Sequence, residues 1–179
     1  MVARKIDDAW FRCQALSQVA RYWPNADYKR LLKEAVDAAN SQNDLYKQVT
    51  VSAWPIRAYL ERNDASPAKG LLERCINAST HIDNMGSRSE AMFTVFQAAK
   101  PFAPELWQPA FWALVAATEP ALAWRQRRNV REAIAMVASD NPALAKKALA
   151  KLSDNKTVAA VRRDLEKGRC AEPRPFFWL

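Results

Sequence analysis

Residues 124–152 read WRQRRNVREAIAMVASDNPALAKKALAKL. The stretch spells one helix, a tight turn at Ser139-Asp140-Asn141-Pro142, and a second helix with proline at its first position, where the missing N–H costs nothing. At about 100° per residue, Trp124, Arg127, Arg128 and Arg131 fall in one sector of the first helix. Val130, Ala133, Ile134 and Val137 fall in another. The unit is thus an amphipathic hairpin with a basic face. One such hairpin cannot bury both of its apolar faces alone, so it needs neighbours of the same kind.

The rest of the chain supplies them. Towards the N-terminus the apolar periodicity and the breakers predict helices at about 7–22, from Asn25 to about 39, 45–62, from Ser66-Pro67 to about 80, 87–100, and from Pro104 onward. Pro55 lies inside the third of these and should kink it. Pro120 is expected to open the helix carrying Trp124. Beyond the hairpin, a ninth helix over about 156–167 reads as a cap. The second helix of each pair follows a turn proline, namely Pro24, Pro67, Pro104 and Pro142, at intervals of 43, 37 and 38 residues. A second mark is an arginine ahead of a small apolar pair, at Arg12 and Arg88 and, one residue shorter, at Arg131. Ser52-Ala-Trp-Pro55-Ile56 fills the remaining slot without the arginine.

A period near 40 residues is that of HEAT and armadillo arrays. The series Asp140, Ala145, Lys146, Ala148, Leu149 and Leu152 resembles the HEAT motif directly, and Val130-Arg131-Glu132-Ala133 resembles the same series in another register. The resemblance implies an all-α fold, an α-solenoid of about four HEAT-like hairpins with a C-terminal capping helix. Residues 1–168 would form a single domain, and residues 169–179 a tail folding back on the last repeat. An irregular helical bundle is the alternative architecture.

Composition agrees with an all-helical chain. The 179 residues include only three glycines, too few for hairpin turns or phosphate-cradling loops, so a P-loop or Rossmann-type nucleotide site is excluded. Net charge is +8, and it is lopsided: residues 121–179 hold 13 Lys and Arg against 6 Asp and Glu, while residues 1–120 hold 14 against 13. This asymmetry points to an acidic partner for the C-terminal third, against the blander reading of a solvated helical surface. Cys13, Cys75 and Cys170 are odd in number and widely spaced, which is neither a disulfide framework nor a metal spacing. Cys13 and Cys75 sit among apolar helical residues as small buried hydrophobes, and free thiols suit a reducing compartment. No apolar leader precedes the first helix, and the longest uncharged run, 106–118, is short of the ~20 residues that span a bilayer. A cytoplasmic protein without a membrane partner is expected.

Chemistry is hard to find in this chain. His81 is its only histidine, placed next to a predicted helix end where a solvent-facing or capping role suits it. Neither Asp7-Asp8 nor Glu61 with Asp64 makes an acid/base couple, and no metal-ligand spacing occurs. No catalytic, cofactor-binding or metal-binding residue is therefore expected. The candidate binding residues are Trp124, Arg127, Arg128 and Arg131, extended by Lys146, Lys147 and Lys151 and outward to Arg162 and Arg163. The leading expectation is a non-enzymatic scaffold for an acidic protein or peptide, in a size range that suits one module of a complex or a homo-oligomer. The alternative is nucleic acid, since guanidinium groups grip phosphates and an indole offers a stacking face. A HEAT-like DNA glycosylase is the third reading, carried by period, charge and tryptophan content alone. The apolar end Phe176-Phe177-Trp178-Leu179 is expected to seal the last helix pair.

Overall fold

The structure is a computed structural model that describes residues 1–24, 26–118, 124–168, 171 and 176–177. Among these, a 3-10 turn (Val2–Lys5) precedes nine α-helices: α1 (Ala9–Tyr22), α2 (Tyr28–Asn40), α3 (Leu45–Glu61), α4 (Ala65–Ser79), α5 (Met85–Ala99), α6 (Pro104–Ala116), α7 (Trp124–Asp140), α8 (Pro142–Leu149) and α9 (Asn155–Glu166). No strand occurs among the described residues.

Short polar side chains start most of these helices. Asp8 accepts from the N–H groups of Trp10 and Phe11, Asp44 from Lys47, Asn84 from Ser87, Asn141 from Leu144 and Asp154 from Thr157, each satisfying N–H groups that the first turn leaves without partners. Prolines open α6 and α8. The start of α4 differs from expectation: the helix begins at Ala65, with Asp64 at the cap position and Ser66 and Pro67 inside the first turn. Asp64 is engaged elsewhere, accepting from the Tyr28 hydroxyl at 3.0 Å. Likewise α5 begins at Met85, two residues before Ser87, because Asn84 is the better cap. Asn25, Pro120, Cys170, Pro173 and Pro175 lie outside the described residues.

The helices pair along the chain, α1 with α2, α3 with α4, α5 with α6 and α7 with α8. The odd-numbered helices also pack side by side in chain order, α1 on α3, α3 on α5, α5 on α7 and α7 on α9, forming one continuous layer. In the even row α4 meets α6. An aromatic cluster of Phe96, Trp107 and Phe111 ties α5 to α6, with ring centroids 5.7–6.2 Å apart.

A repeat register emerges from side chains that turn back on the preceding connection. The Arg12 guanidinium donates to the Ile6 carbonyl, the Gln48 amide to Gln42 and the Arg88 guanidinium to Ile82, each six residues upstream; Gln126 donates to Ala117 across a longer connection. Glutamine thus replaces the arginine that the third helix lacks. In α7 the register mark is Gln126 and not Arg131, which reaches Asp164 on α9 instead. Four residues past each mark stand Leu16, Ser52, Met92 and Val130. Eight past stand Ala20, Ile56, Phe96 and Ile134, and all of these are buried.

Polar contacts also link neighbours within the odd layer. Arg21 of α1 meets Glu61 of α3, Arg57 of α3 donates to the Ala98 carbonyl of α5 at 3.4 Å, Lys100 at the end of α5 meets Asp140 of α7, and Arg131 meets Asp164 of α9. Pro55 sits buried inside α3. Having no N–H, it cannot serve the Val51 carbonyl one turn earlier. The Cys13 thiol of α1 does so, its sulfur 3.5 Å from that oxygen.

Candidate nucleic-acid or peptide interface

The first nine residues of α7 are polar except for Trp124 and Val130, and they show their charges on the side away from the buried Val130, Ala133, Ile134 and Val137. α9 lies along α7 because its Thr157, Val161 and Asp164 fall one or two turns apart on one stripe, and all three are buried. Between the two helices is a cleft of about 250 Å³ lined by Trp124, Arg127, Arg128 and Arg131 from α7 and by Lys156, Thr157 and Ala160 from α9.

Trp124 forms one wall and is 64% exposed. The guanidinium carbons of Arg125 and Arg128 each lie 5.6 Å from its ring centroid, within cation–π range. The other arginines face carboxylates. Arg127 lies 3.7 Å from Asp154, and Arg131 donates twice to the buried Asp164, one contact being 2.8 Å. The Thr157 hydroxyl and N–H hold the Asp154 carboxyl below the usual carboxylate range, with Arg127 adding to the effect, so Asp154 stays ionised beside the cleft. Among the described residues Arg128 and Lys156 form no ion pair.

The structure thus brings together Trp124, Arg127, Arg128 and Arg131, and leaves the expected lysines out of the cleft. Lys146, Lys147 and Lys151 are exposed on α8 and the turn after it, because Ala145, Ala148 and Leu149 are the residues α8 turns inward. Arg162 and Arg163 are exposed on α9, away from the lining. Sequence reading missed Lys156 and Thr157. The Asp154-x-x-Thr157 cap signals where α9 starts, but nothing local says that α9 packs on α7. His81 is exposed just beyond α4, its backbone N–H donating to the Ala78 carbonyl. Among the described residues no group of three or more His, Cys, Asp or Glu side chains could hold a metal ion, and no helix is long and apolar enough to cross a membrane.

Of the residues expected to seal the last pair, Trp178 and Leu179 lie outside the described residues, and the other two sit elsewhere than expected. Phe176 and Phe177 lie against Trp54 of α3 and Arg21 of α1, in the first two helix pairs, and not on the last pair. Aromatic surface is what attracts them, and the last pair offers a basic face. Set against family models, curated proteins and solved structures, the chain matches none of them.

Proposed function

We propose that this chain is a non-enzymatic binding scaffold, an α-solenoid of HEAT-like hairpins ending in α9, and that the cleft between α7 and α9 takes an acidic protein segment. Hairpins following one another in order, with a continuous odd-numbered row, support the solenoid reading. One observation carries the binding reading: Trp124 stands 64% exposed beside the cleft, with Arg128 and Lys156 on its rim. An apolar side chain of the partner would fill the cleft against the indole and the arginine stems, while flanking carboxylates meet the two cations.

Nucleic acid is the second reading, favoured by the stacking face of Trp124. It is weakened by Arg127 and Arg131, whose charges face Asp154 and Asp164 and so offer less to a phosphate chain. Two labelled probes separate the readings: a peptide of Asp and Glu around a central Leu-Phe, and an oligo-dT strand of about 20 nucleotides. The expected result is peptide binding that weakens at least tenfold in Trp124→Ala/Arg128→Glu, with only shallow salt dependence. Binding of the oligonucleotide with log affinity falling by about 0.7 per neutralised phosphate per log unit of salt would replace it with the nucleic-acid reading. A chain that binds neither probe at low salt sinks both.

A further inference from the structure

The register that puts Trp124 in the open at α7 puts Trp10 at the same position of α1, two residues before Arg12, as Trp124 stands two before Gln126. There the aromatic surface is covered. Trp10 meets Trp54 edge-on at 6.2 Å, Trp54 meets Phe176 at 5.0 Å, and Phe176 meets Phe177 edge-on at 5.7 Å. The Arg21 guanidinium lies 4.0 Å from the Phe177 ring centre. Arg21 does not depend on the tail for its place, since Glu61 and the Gln18 side chain hold it from the other sides. Phe177 is only 7% exposed, so the tail's ring is seated and not merely adjacent.

These contacts describe a prebuilt receptor. An indole offers its face and edge to one ring, and a fixed guanidinium offers a cation–π partner to the next. Neither contact reads anything but two adjacent aromatic side chains. We propose that the Trp10–Trp54–Arg21 shelf of α1 and α3 is a docking site for a peptide carrying an adjacent aromatic pair, and that Phe176-Phe177 is its resident occupant in cis. A tethered segment presents itself at an effective concentration in the millimolar range. An incoming peptide therefore competes with the tail and binds the unmutated chain weakly. The site is independent of the α7–α9 cleft, at the other end of the odd layer, and either can fail without the other.

The test uses the full-length chain carrying Phe176→Ala/Phe177→Ala and a labelled peptide of residues 171–179. The variant is expected to bind the peptide at least tenfold more tightly than the unmutated chain, and adding Trp54→Ala should abolish the gain. A peptide with both phenylalanines replaced by alanine should not bind. A variant that keeps its helix content and a cooperative melt, yet binds the peptide no better than the unmutated chain, overturns the proposal. Should the variant fail to fold, 4-fluorophenylalanine at position 177 of the otherwise unmutated chain gives the answer. Millimolar peptide is expected to move its 19F resonance to the solvent-exposed value, and a resonance that stays put overturns the displacement. A dimeric unmutated chain with a monomeric variant would overturn the cis assignment.

Discussion

α3 and α7 hold matching places in the odd layer, and each is 17 residues long. Yet α3 is covered on nearly every side, whereas the first half of α7 shows a charged face to solvent. α3 lies between α1 and α5, backs onto α4, and takes Phe176 on Trp54. α7 lies between α5 and α9 and backs onto α8, but Trp124 and Arg128 stay exposed. Their sequences anticipate this: α3 is apolar almost all round, while α7 begins with four arginines in eight residues. Matching places in the odd layer are therefore covered towards one end of the row and open towards the other.

The largest effect expected from probing this contrast is on the α3 side. Ile56→Ala should destabilise the chain by about 2–5 kcal/mol in denaturant melts, because the residue is fully enclosed and the layer around it cannot collapse into the gap. A cost under about 1 kcal/mol would mean that α3 is looser than its burial suggests.

Next comes the junction of α5 and α7. The Lys100 side chain is buried with its ammonium group 4.9 Å from the Trp107 ring centre and paired to Asp140. Asp140→Ala strands that charge and should cost about 1–3 kcal/mol, less than a fully enclosed pair because the carboxylate side chain is 57% exposed. Lys100→Met should cost less than Asp140→Ala, since an apolar chain suits the site. The Lys100 and Ser139 hydrogen bonds hold the Asp140 carboxyl below its ordinary value. Its contribution is thus present above the unfolded pKa of about 4 and is lost as pH falls through the lowered value. Melting temperature followed from pH 6 to pH 2.5 should drop less steeply in Asp140→Ala than in the unmutated chain.

A smaller effect tests how α3 tolerates its proline. Cys13→Ala should cost about 1 kcal/mol, and part of that loss should vanish when Pro55→Ala restores the N–H for the Val51 carbonyl. Strict additivity in the double-mutant cycle would show that the thiol serves packing alone. The smallest effect belongs to α7: Trp124→Ala should change stability by no more than about 0.5 kcal/mol while weakening binding of the proposed acidic peptide. A melt lowered by several degrees would make Trp124 a structural residue and close the contrast with α3.

Much of this layout could be read from the chain because its signals are local. Apolar periodicity places the helices to within a few residues, and Pro104 and Pro142 open α6 and α8. The gathering of Trp124 with Arg127, Arg128 and Arg131 follows from 100° spacing within one helix. What could not be read is what lies opposite. Lys146 and Lys147 are closer in sequence to Arg131 than Lys156 is, but α8 shows its lysines to solvent and α9 brings Lys156 into the cleft. The register marks stayed hidden because arginine and glutamine do the same job at Arg12, Gln48, Arg88 and Gln126. The landing place of the tail depends on Trp10, Trp54 and Arg21 meeting in space, which no stretch of sequence displays.

The thiol under Pro55 makes the chain its own clock. Burial pushes Cys13 and Cys75 up to about 12, so at neutral pH neither offers a thiolate while the helices stay together. Alkylation must wait for an opening, and the modified site, resolved by mass, names the joint that opened: α1 from α3 for Cys13, α4 from its neighbours for Cys75. The ratio of the two rates would rank how often each end of the α1–α4 block breathes, with no probe added to the sequence.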